Sequence, residues 1–476
     1  MKKRITHFLQ FLCFCIAGLV AVAQAQTYSV VSNLGSSPGD PTSISQMTQG
    51  RDGLLYGEAE FGGTYGNGTV FRMAPNGSFK VLYSFQSSEG YYPGGGLTLG
   101  VDGFFYGLTH SGGAYNRGTI FRITPTGTLA TLHHFTTNEV YQASAAPATF
   151  AQLVQGLDGN FYGTTADGGT LRDGIVYKIS PKGQFAVLYQ FDGNLGLWPS
   201  GLVLGTDGAF YGISAYGPNN NGYGAIFKIT PFGQFTVVHS FSPVDGPPAS
   251  LPYQGLDGNF YGTSDPDTSR ATAVVYRMTP TGNVTILRGM DGAEGNYPSA
   301  GLIQGSDGIF YGANSYEGPS ATCADLGGCG TLFKITPQGV FTALFDLDYP
   351  TGATPETTMV QHTSGVFYGS TTNGGSGTNG PYCSFNCGVL YSFNAGLPPF
   401  VTLSPVSGKP GSAVVILGQG FSSAMSVTFN NVAASFALVS STCVIATVPA
   451  QASTGRVQVS ISKTNALFGN RKFTVN

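Results

Sequence analysis

The segment DGNFYGTT at 158–165, with the apolar LVQG (153–156) before it and GIVYKI (174–179) after it, decides the fold. Its six-residue core recurs as DGLLYG (52–57), DGFFYG (102–107), DGAFYG (207–212), DGNFYG (257–262) and DGIFYG (307–312). A further copy, SGVFYG (364–369), lacks the aspartate, and the intervals along the chain are 50, 56, 49, 50, 50 and 57 residues. Behind each copy comes a second pattern, as in GTVFRMAPNG (68–77) or GTLFKITPQG (330–339), and then a third, as in SFKVLYSF (78–85) or QFTVVHSF (234–241). Each unit reads as four short strands. Asp-Gly between apolar runs marks a tight hairpin, because glycine accepts positive φ, and Pro-x-Gly marks a second tight turn. Four antiparallel strands repeated at this period are the signature of a β-propeller.

The ends of the array agree with a closed ring. The seventh unit stops after GVLYSFNAG (388–396) without a fourth strand, while TYSVVSNL (27–34) is a spare strand ahead of the first unit. Donating it to the last blade would remove two open sheet edges. The expected fold is all-β: a seven-bladed propeller over 26–396, closed by its N-terminal strand, with a small sandwich over 397–476. In such a ring the first-to-second and third-to-fourth turns share one face. The longer second-to-third and blade-to-blade connections share the other, where binding residues usually sit.

Composition fits this reading. Among 476 residues, 71 are Gly and 27 are Pro, only 9% are charged and 13% are aromatic, which excludes long helices. The 41% hydrophobic content supports a large core and argues against disorder. Residues 1–25 carry +3, residues 26–396 carry −11 and residues 397–476 carry +5. An acidic main body does not supply the cationic footprint that nucleic acid requires. MKKR followed by an apolar run to Val22 and small residues at Ala23 and Ala25 reads as a secretory signal cleaved after Ala25. No later stretch is long and apolar enough for a spanning helix, so the expected product is exported, extracellular or at the cell surface. In an oxidising compartment Cys323 and Cys329, and Cys383 and Cys387, are candidates for two local disulfides; a four-cysteine metal site is the weaker alternative, and Cys443 reads as a buried apolar residue.

Candidate sites are sparse, and no cofactor or metal is expected. The third strands carry Arg72, Arg122, Lys178, Lys228, Arg277 and Lys334, and the turns carry Asp52, Asp102, Asp158, Asp207, Asp257 and Asp307; blade seven lacks both groups. A cation ring for a polyanion is one reading. Their joint loss favours the other, a structural ion pair in each blade. The histidines show no metal-ligand spacing, Ser37 lies in a Gly-x-Ser-x-Gly match without the strand–helix context of a nucleophile, and Asp265-x-Asp267-x-Ser269 lacks the remainder of a calcium loop. Aromatics are the best functional hint. Tyr92, Trp198 and Tyr297, each followed by proline, stand at equivalent starts of first strands, with Tyr65, Tyr115, Tyr141, Tyr223 and Tyr382 in other loops. They suit stacking on sugars or a protein-binding patch, or they pack the blade junctions.

Residues 399–476 resemble an IPT/TIG domain of immunoglobulin type through SPVSGKPGSAVVILGQGF (404–421), SVTFNNVAA (426–434) and ATVPAQASTGRVQVSI (446–461). Residues 41–396 resemble the tandem-repeat GloVer family of exported bacterial proteins through DGNFYGTT, GTVF, KITPxG and VLYSF. The resemblance implies a propeller-like fold and an exported or surface location, and brings no catalytic residues. The expected function is a non-catalytic binding or structural protein that contacts glycan or extracellular protein through its variable loop face. The alternative is a carbohydrate-active hydrolase or lyase using loop carboxylates such as Glu58, Glu60, Asp167, Asp265 or Glu317, which would have to converge in a pocket.

Overall fold

The computed structural model describes residues 26–35, 40–141, 152–218, 222–265, 273–290, 292–320, 322–323, 327–377, 386–421, 425–462 and 464–476. Seven sheets form the blades of a propeller, and two further sheets form the C-terminal sandwich. The third blade shows the common plan: Val154–Gln155, Phe161–Thr165, Ile175–Ile179 and Phe185–Gln190, each antiparallel to the next. In the seventh blade the fourth place is taken by Thr27–Asn33, paired antiparallel with Val389–Asn394 from Thr27↔Asn394 to Asn33↔Val389. The ring is closed by its head, as the strand count requires.

The FYG triplet explains how blades adhere. Successive strand residues point to opposite faces, so the phenylalanine faces one neighbour and the tyrosine the other. Tyr56 accordingly stacks on Phe105 at 4.1 Å, Tyr106 on Phe161 at 3.8 Å, Tyr162 on Phe210 at 4.1 Å and Tyr261 on Phe310 at 4.1 Å. At the closing junction Leu55 replaces the phenylalanine and shares a core cluster with Tyr368. The glycine of the triplet leaves room for the ring of the third strand: a Cβ on Gly57 would sit 2.6 Å from Phe71 Cζ.

A second seam runs along the outer strands. His133 lies flat on Phe185 and Tyr189 on Phe235, both pairs with ring centroids 4.1 Å apart. Among the described residues the fourth strands of blades two, four and five are also tied to the crossover that leaves them, by a pair six residues apart. His133 Nε2 meets Glu139 Oε2 at 2.9 Å, His239 Nε2 meets Asp245 Oδ2 at 3.3 Å, and Arg288 is paired with Glu294. The main-chain carbonyl of the same acid then accepts a hydroxyl from the next blade: Thr165 Oγ1 donates to Glu139 at 2.6 Å and Thr331 Oγ1 to Glu294 at 2.7 Å. One residue thus staples two blades.

The sandwich pairs Thr402–Ser404, Ala413–Leu417, Cys443–Thr447 and Phe436–Ser440 in one sheet, with Ala466–Val475, Gly455–Ser460 and Ser426–Phe429 at the centre of the other. Val414, Ile416, Val427, Val444, Val457 and Phe473 fill the space between them. The module rests on the turn face of the propeller. Ser440 and Thr442 hydroxyls donate to the Arg51 carbonyl, and Gln419 Nε2 donates to Thr363 Oγ1 at 2.7 Å. The Arg471 guanidinium lies 4.3 Å from the centre of the Tyr253 ring and donates to its hydroxyl. These contacts fall on blades one, seven and five, with Leu99 of blade two packed against Val415, Leu417 and Cys443.

Candidate functional site

With the turn face occupied in this way, the variable connections meet on the opposite face. There the first strands begin with an unusual backbone. Ser43, Tyr92, Trp198, Tyr297 and Thr354 all have φ between 55° and 60°. For a residue with a side chain this left-handed conformation costs about 1–2 kcal/mol. The junction explains it. The Tyr92 amide donates to the Asn67 carbonyl of the preceding blade at 2.9 Å, and the Trp198 amide donates to Asp173 at 2.8 Å. The prolines that follow close the contact, since a Cβ on Gly68 would strike the Pro93 ring and one on Gly174 would strike Pro199.

The proline therefore packs the junction, and the aromatic ring before it makes separate contacts nearer the surface. Trp198 is 47% exposed and meets Tyr216 edge-on at 5.2 Å. Tyr92 packs on Tyr91 at 4.8 Å and Phe61 at 5.2 Å, and Tyr297 lies 5.8 Å from Tyr316. The three stand on blades two, four and six, so they alternate around the ring and do not touch. Tyr65 and Tyr115, on second-to-third connections, are more exposed still, at 55% and 57%. Tyr141 is covered by the Arg172 guanidinium at 3.6 Å, and Tyr223 packs on the core of blade four. Tyr382, Ser37, Asp267, Ser269, Cys383 and the segment 1–25 lie outside the described residues.

The loop carboxylates do not gather in one pocket. Glu58 and Glu60 belong to blade one, Asp167 to blade three, Asp265 to blade five and Glu317 to blade six. Glu58 is wholly buried between blades one and two, where the Gly96 amide donates to its Oε2 at 3.1 Å. Burial pushes its carboxyl well above the usual range, against the pull of main-chain amides. Glu60 is also pushed up by burial, and Ser43 donates to it at 3.2 Å. The Asp167 carboxylate accepts the Tyr141 amide at 3.1 Å. His110, the counterpart of Glu60 in blade two, is pushed down to about 4 by burial. Among the described residues, no group of three or more His, Cys, Asp or Glu is placed to hold a metal.

The turn aspartates depart from the expected ion pairs. Among the described residues Asp207 with Lys228, at 2.7 Å, is the one such pair. In every blade that has the aspartate, its partner is the tyrosine four residues on: Tyr56 donates to Asp52 at 2.8 Å, Tyr106 to Asp102 at 2.6 Å, Tyr162 to Asp158 at 2.7 Å, Tyr211 to Asp207 at 2.9 Å, Tyr261 to Asp257 at 2.8 Å and Tyr311 to Asp307 at 3.0 Å. A phenol beside the turn reaches the carboxylate at less conformational cost than a long cationic chain on the next strand. Arg122 instead lies over Phe104 and donates across the junction to the Pro181 carbonyl at 3.3 Å. In blade seven, which has neither aspartate nor cation, the hydroxyl of the buried Tyr368 donates across the junction to the Pro75 carbonyl at 3.1 Å. The loss of both groups is thus compensated by one hydroxyl.

Cys323 and Cys329 form a disulfide, and Cys387 is disulfide-bonded, while Cys443 is free and buried. The crossover staples were not read from the sequence, although YSFQSSE (83–89), HHFTTNE (133–139) and HSFSPVD (239–245) display their spacing.

The profile of the Gloeobacter/Verrucomicrobia repeat matches residues 18–152 and 141–324, more than half of the chain. The chain belongs to that repeat family. An IPT/TIG domain profile matches residues 398–475, the whole sandwich. Among curated proteins none matches this repeat protein. Among solved structures it is similar to a fungal alcohol oxidase of the AA5 family in complex with copper, at 13% identity, covering 95% of this chain and 100% of that one with a TM-score of 0.52. It is also similar to the periplasmic gluconolactonase of Pseudomonas aeruginosa, at 16% identity over 65% of this chain and 85% of that one, with a TM-score of 0.45. At such identity the likeness concerns fold alone. No helix among the described residues of the repeat protein is long and apolar enough to cross a membrane.

Proposed function

We propose that this repeat protein is an exported, non-catalytic binding protein that engages an extracellular glycan or protein through its loop face. The observation that carries the reading is the placement of Tyr92, Trp198 and Tyr297 in left-handed backbone at equivalent junctions. Aromatic side chains have few rotatable bonds and so lose little entropy on binding, and they offer apolar faces to a ligand. The acids offered for catalysis are dispersed over blades or wholly buried, as Glu58 is, and no observation favours the hydrolase or lyase reading. Export rests on the basic, apolar leader of the sequence and agrees with the Cys323–Cys329 bond. The turn face, occupied by the sandwich, leaves the loop face for a partner.

The test is a glycan array, with a parallel capture assay on intact cells, using the full mature chain. Binding that disappears when Tyr92, Trp198 and Tyr297 are all changed to Ala supports the proposal. Binding that survives the triple change, or no binding to glycan or cell surface, overturns it.

A further inference from the structure

Trp198 is the single tryptophan of the chain and stands at the junction of blades three and four. Its surroundings differ from those of Tyr92 and Tyr297. The hydrogen bond that the Trp198 amide donates to the Asp173 carbonyl at 2.8 Å brings the second-to-third connection of blade three against the crossover that enters blade four. The Asp173 carboxylate faces this seam: a Cβ placed on Gly193 would lie 3.7 Å from Asp173 Oδ2 and 3.9 Å from Leu197. Asp192 stands on the same crossover, with Oδ1 accepting the Asn194 amide at 3.0 Å and Oδ2 the Asn194 side chain at 3.1 Å. Burial and the charge of Asp192 both push the Asp173 carboxyl up. The cation of this loop, Arg172, is drawn the other way, over the Tyr141 ring. The result is a half-exposed indole on a junction that also carries the Asp173 and Asp192 carboxylates.

We infer that Trp198 and Asp173 form a subsite for one neutral pyranose unit of a glycan, with the C–H face of the sugar on the indole and hydroxyls donated to the Asp173 carboxylate. The inference rests on the loop-face reading above and deepens it by naming a ligand class. Stacking needs an exposed aromatic face, which Trp198 supplies at 47% exposure with its ring braced edge-on by Tyr216. A carboxylate accepts hydrogen bonds and donates none when ionised, so it suits hydroxyl-rich sugars. The same charge repels uronates and sulfated sugars, and so does the −11 carried by residues 26–396. Neutral glycans are selected and anionic ones excluded.

The experiment is affinity electrophoresis and calorimetry of the full mature chain with soluble neutral glucan and mannan oligosaccharides, and with polygalacturonate, at low salt. A neutral probe is expected to bind and polygalacturonate is not. Trp198→Ala should weaken the neutral probe by about tenfold or more, the equivalent of ~1.4 kcal/mol. Trp198→Phe should retain most of the binding, and Asp173→Asn should weaken it while lessening the exclusion of polygalacturonate. An unchanged melting temperature shows that each variant is folded. Equal or tighter binding of polygalacturonate, no binding of any neutral probe, or full binding by Trp198→Ala overturns the subsite. If Trp198→Ala binds fully while Tyr92→Ala or Tyr297→Ala does not, the loop-face reading stands and the subsite falls; if binding survives the triple change, both fall.

Discussion

Tyr28 lies flat on Phe345, with ring centroids 4.1 Å apart and planes 3° from parallel, and its hydroxyl donates to the Thr351 carbonyl at 2.7 Å. The two residues are joined by nothing local. Tyr28 holds in the closing strand the place that Phe185 and Phe235 hold in blades three and four, each stacked on the outer strand of the blade before it. The closing strand thus completes a seam laid down by the repeats.

Tyr28→Ala should destabilise the propeller by about 2 kcal/mol, toward the low end of the cost of truncating a large packed side chain. Tyr28→Phe keeps the stack and should cost less. Thermal unfolding of the two variants measures the difference, and a Tyr28→Ala protein that melts with the wild type would show that the ring does not depend on this closure.

The turn aspartate should couple to tyrosine more strongly than to the cation. In a double-mutant cycle, Asp102→Ser with Tyr106→Phe is expected to show an interaction of about 1–2 kcal/mol, that of a partly buried hydrogen bond to a charged acceptor. Asp102→Ser with Arg122→Ser should be additive within the error of urea unfolding. The half-exposed Asp207–Lys228 pair should contribute under about 1 kcal/mol.

Glu58 sets an alkaline limit. Its carboxyl is raised by burial, so the folded chain holds the proton more tightly than the unfolded one. That contribution is complete below the unfolded pKa and is lost as pH rises through the folded one. Glu58→Gln keeps the shape without the titration. It should raise the melting temperature at about pH 8 and leave it nearly unchanged at about pH 4, and differential scanning calorimetry across that interval checks the sign.

His110 sets an acid limit. Held neutral by burial, it is lowered to about 4. Its contribution is present above the unfolded pKa and disappears as pH falls from about 6.5 toward the folded value, a loss of roughly 3 kcal/mol. Glu139 acts in the same direction: burial raises its carboxyl, but the hydrogen bonds from His133 and Thr136 and the His133 charge outweigh it and lower it overall. A His110→Gln variant should show a flatter acid branch in urea unfolding, and an unchanged branch would locate the acid sensitivity elsewhere.

Much of the architecture was legible because the repeat consists of residues with local duties. Asp-Gly forms its turn wherever it stands, and FYG alternates its rings to both neighbours whatever the blade, so counting DGNFYG and its six relatives was enough to count blades. The spare TYSVVSNL and the missing last strand completed the arithmetic. The aromatic starts of the first strands were legible as positions, since Tyr92, Trp198 and Tyr297 share a following proline. Their left-handed backbone was not, because it is imposed by the carbonyls of Asn67 and Asp173 on the preceding blade.

The order of strands, the number of blades and the identity of the closing strand were determined by the sequence alone, through turn chemistry and alternation that need no distant partner. Only the tertiary structure decided between partners that the sequence offers equally. Asp102 has a tyrosine four residues away and an arginine twenty away, and geometry gives it to the tyrosine at 2.6 Å. It likewise seated the sandwich on the turn face and set Asp173 beside Trp198, because those contacts depend on distances across blades that no spacing along the chain records.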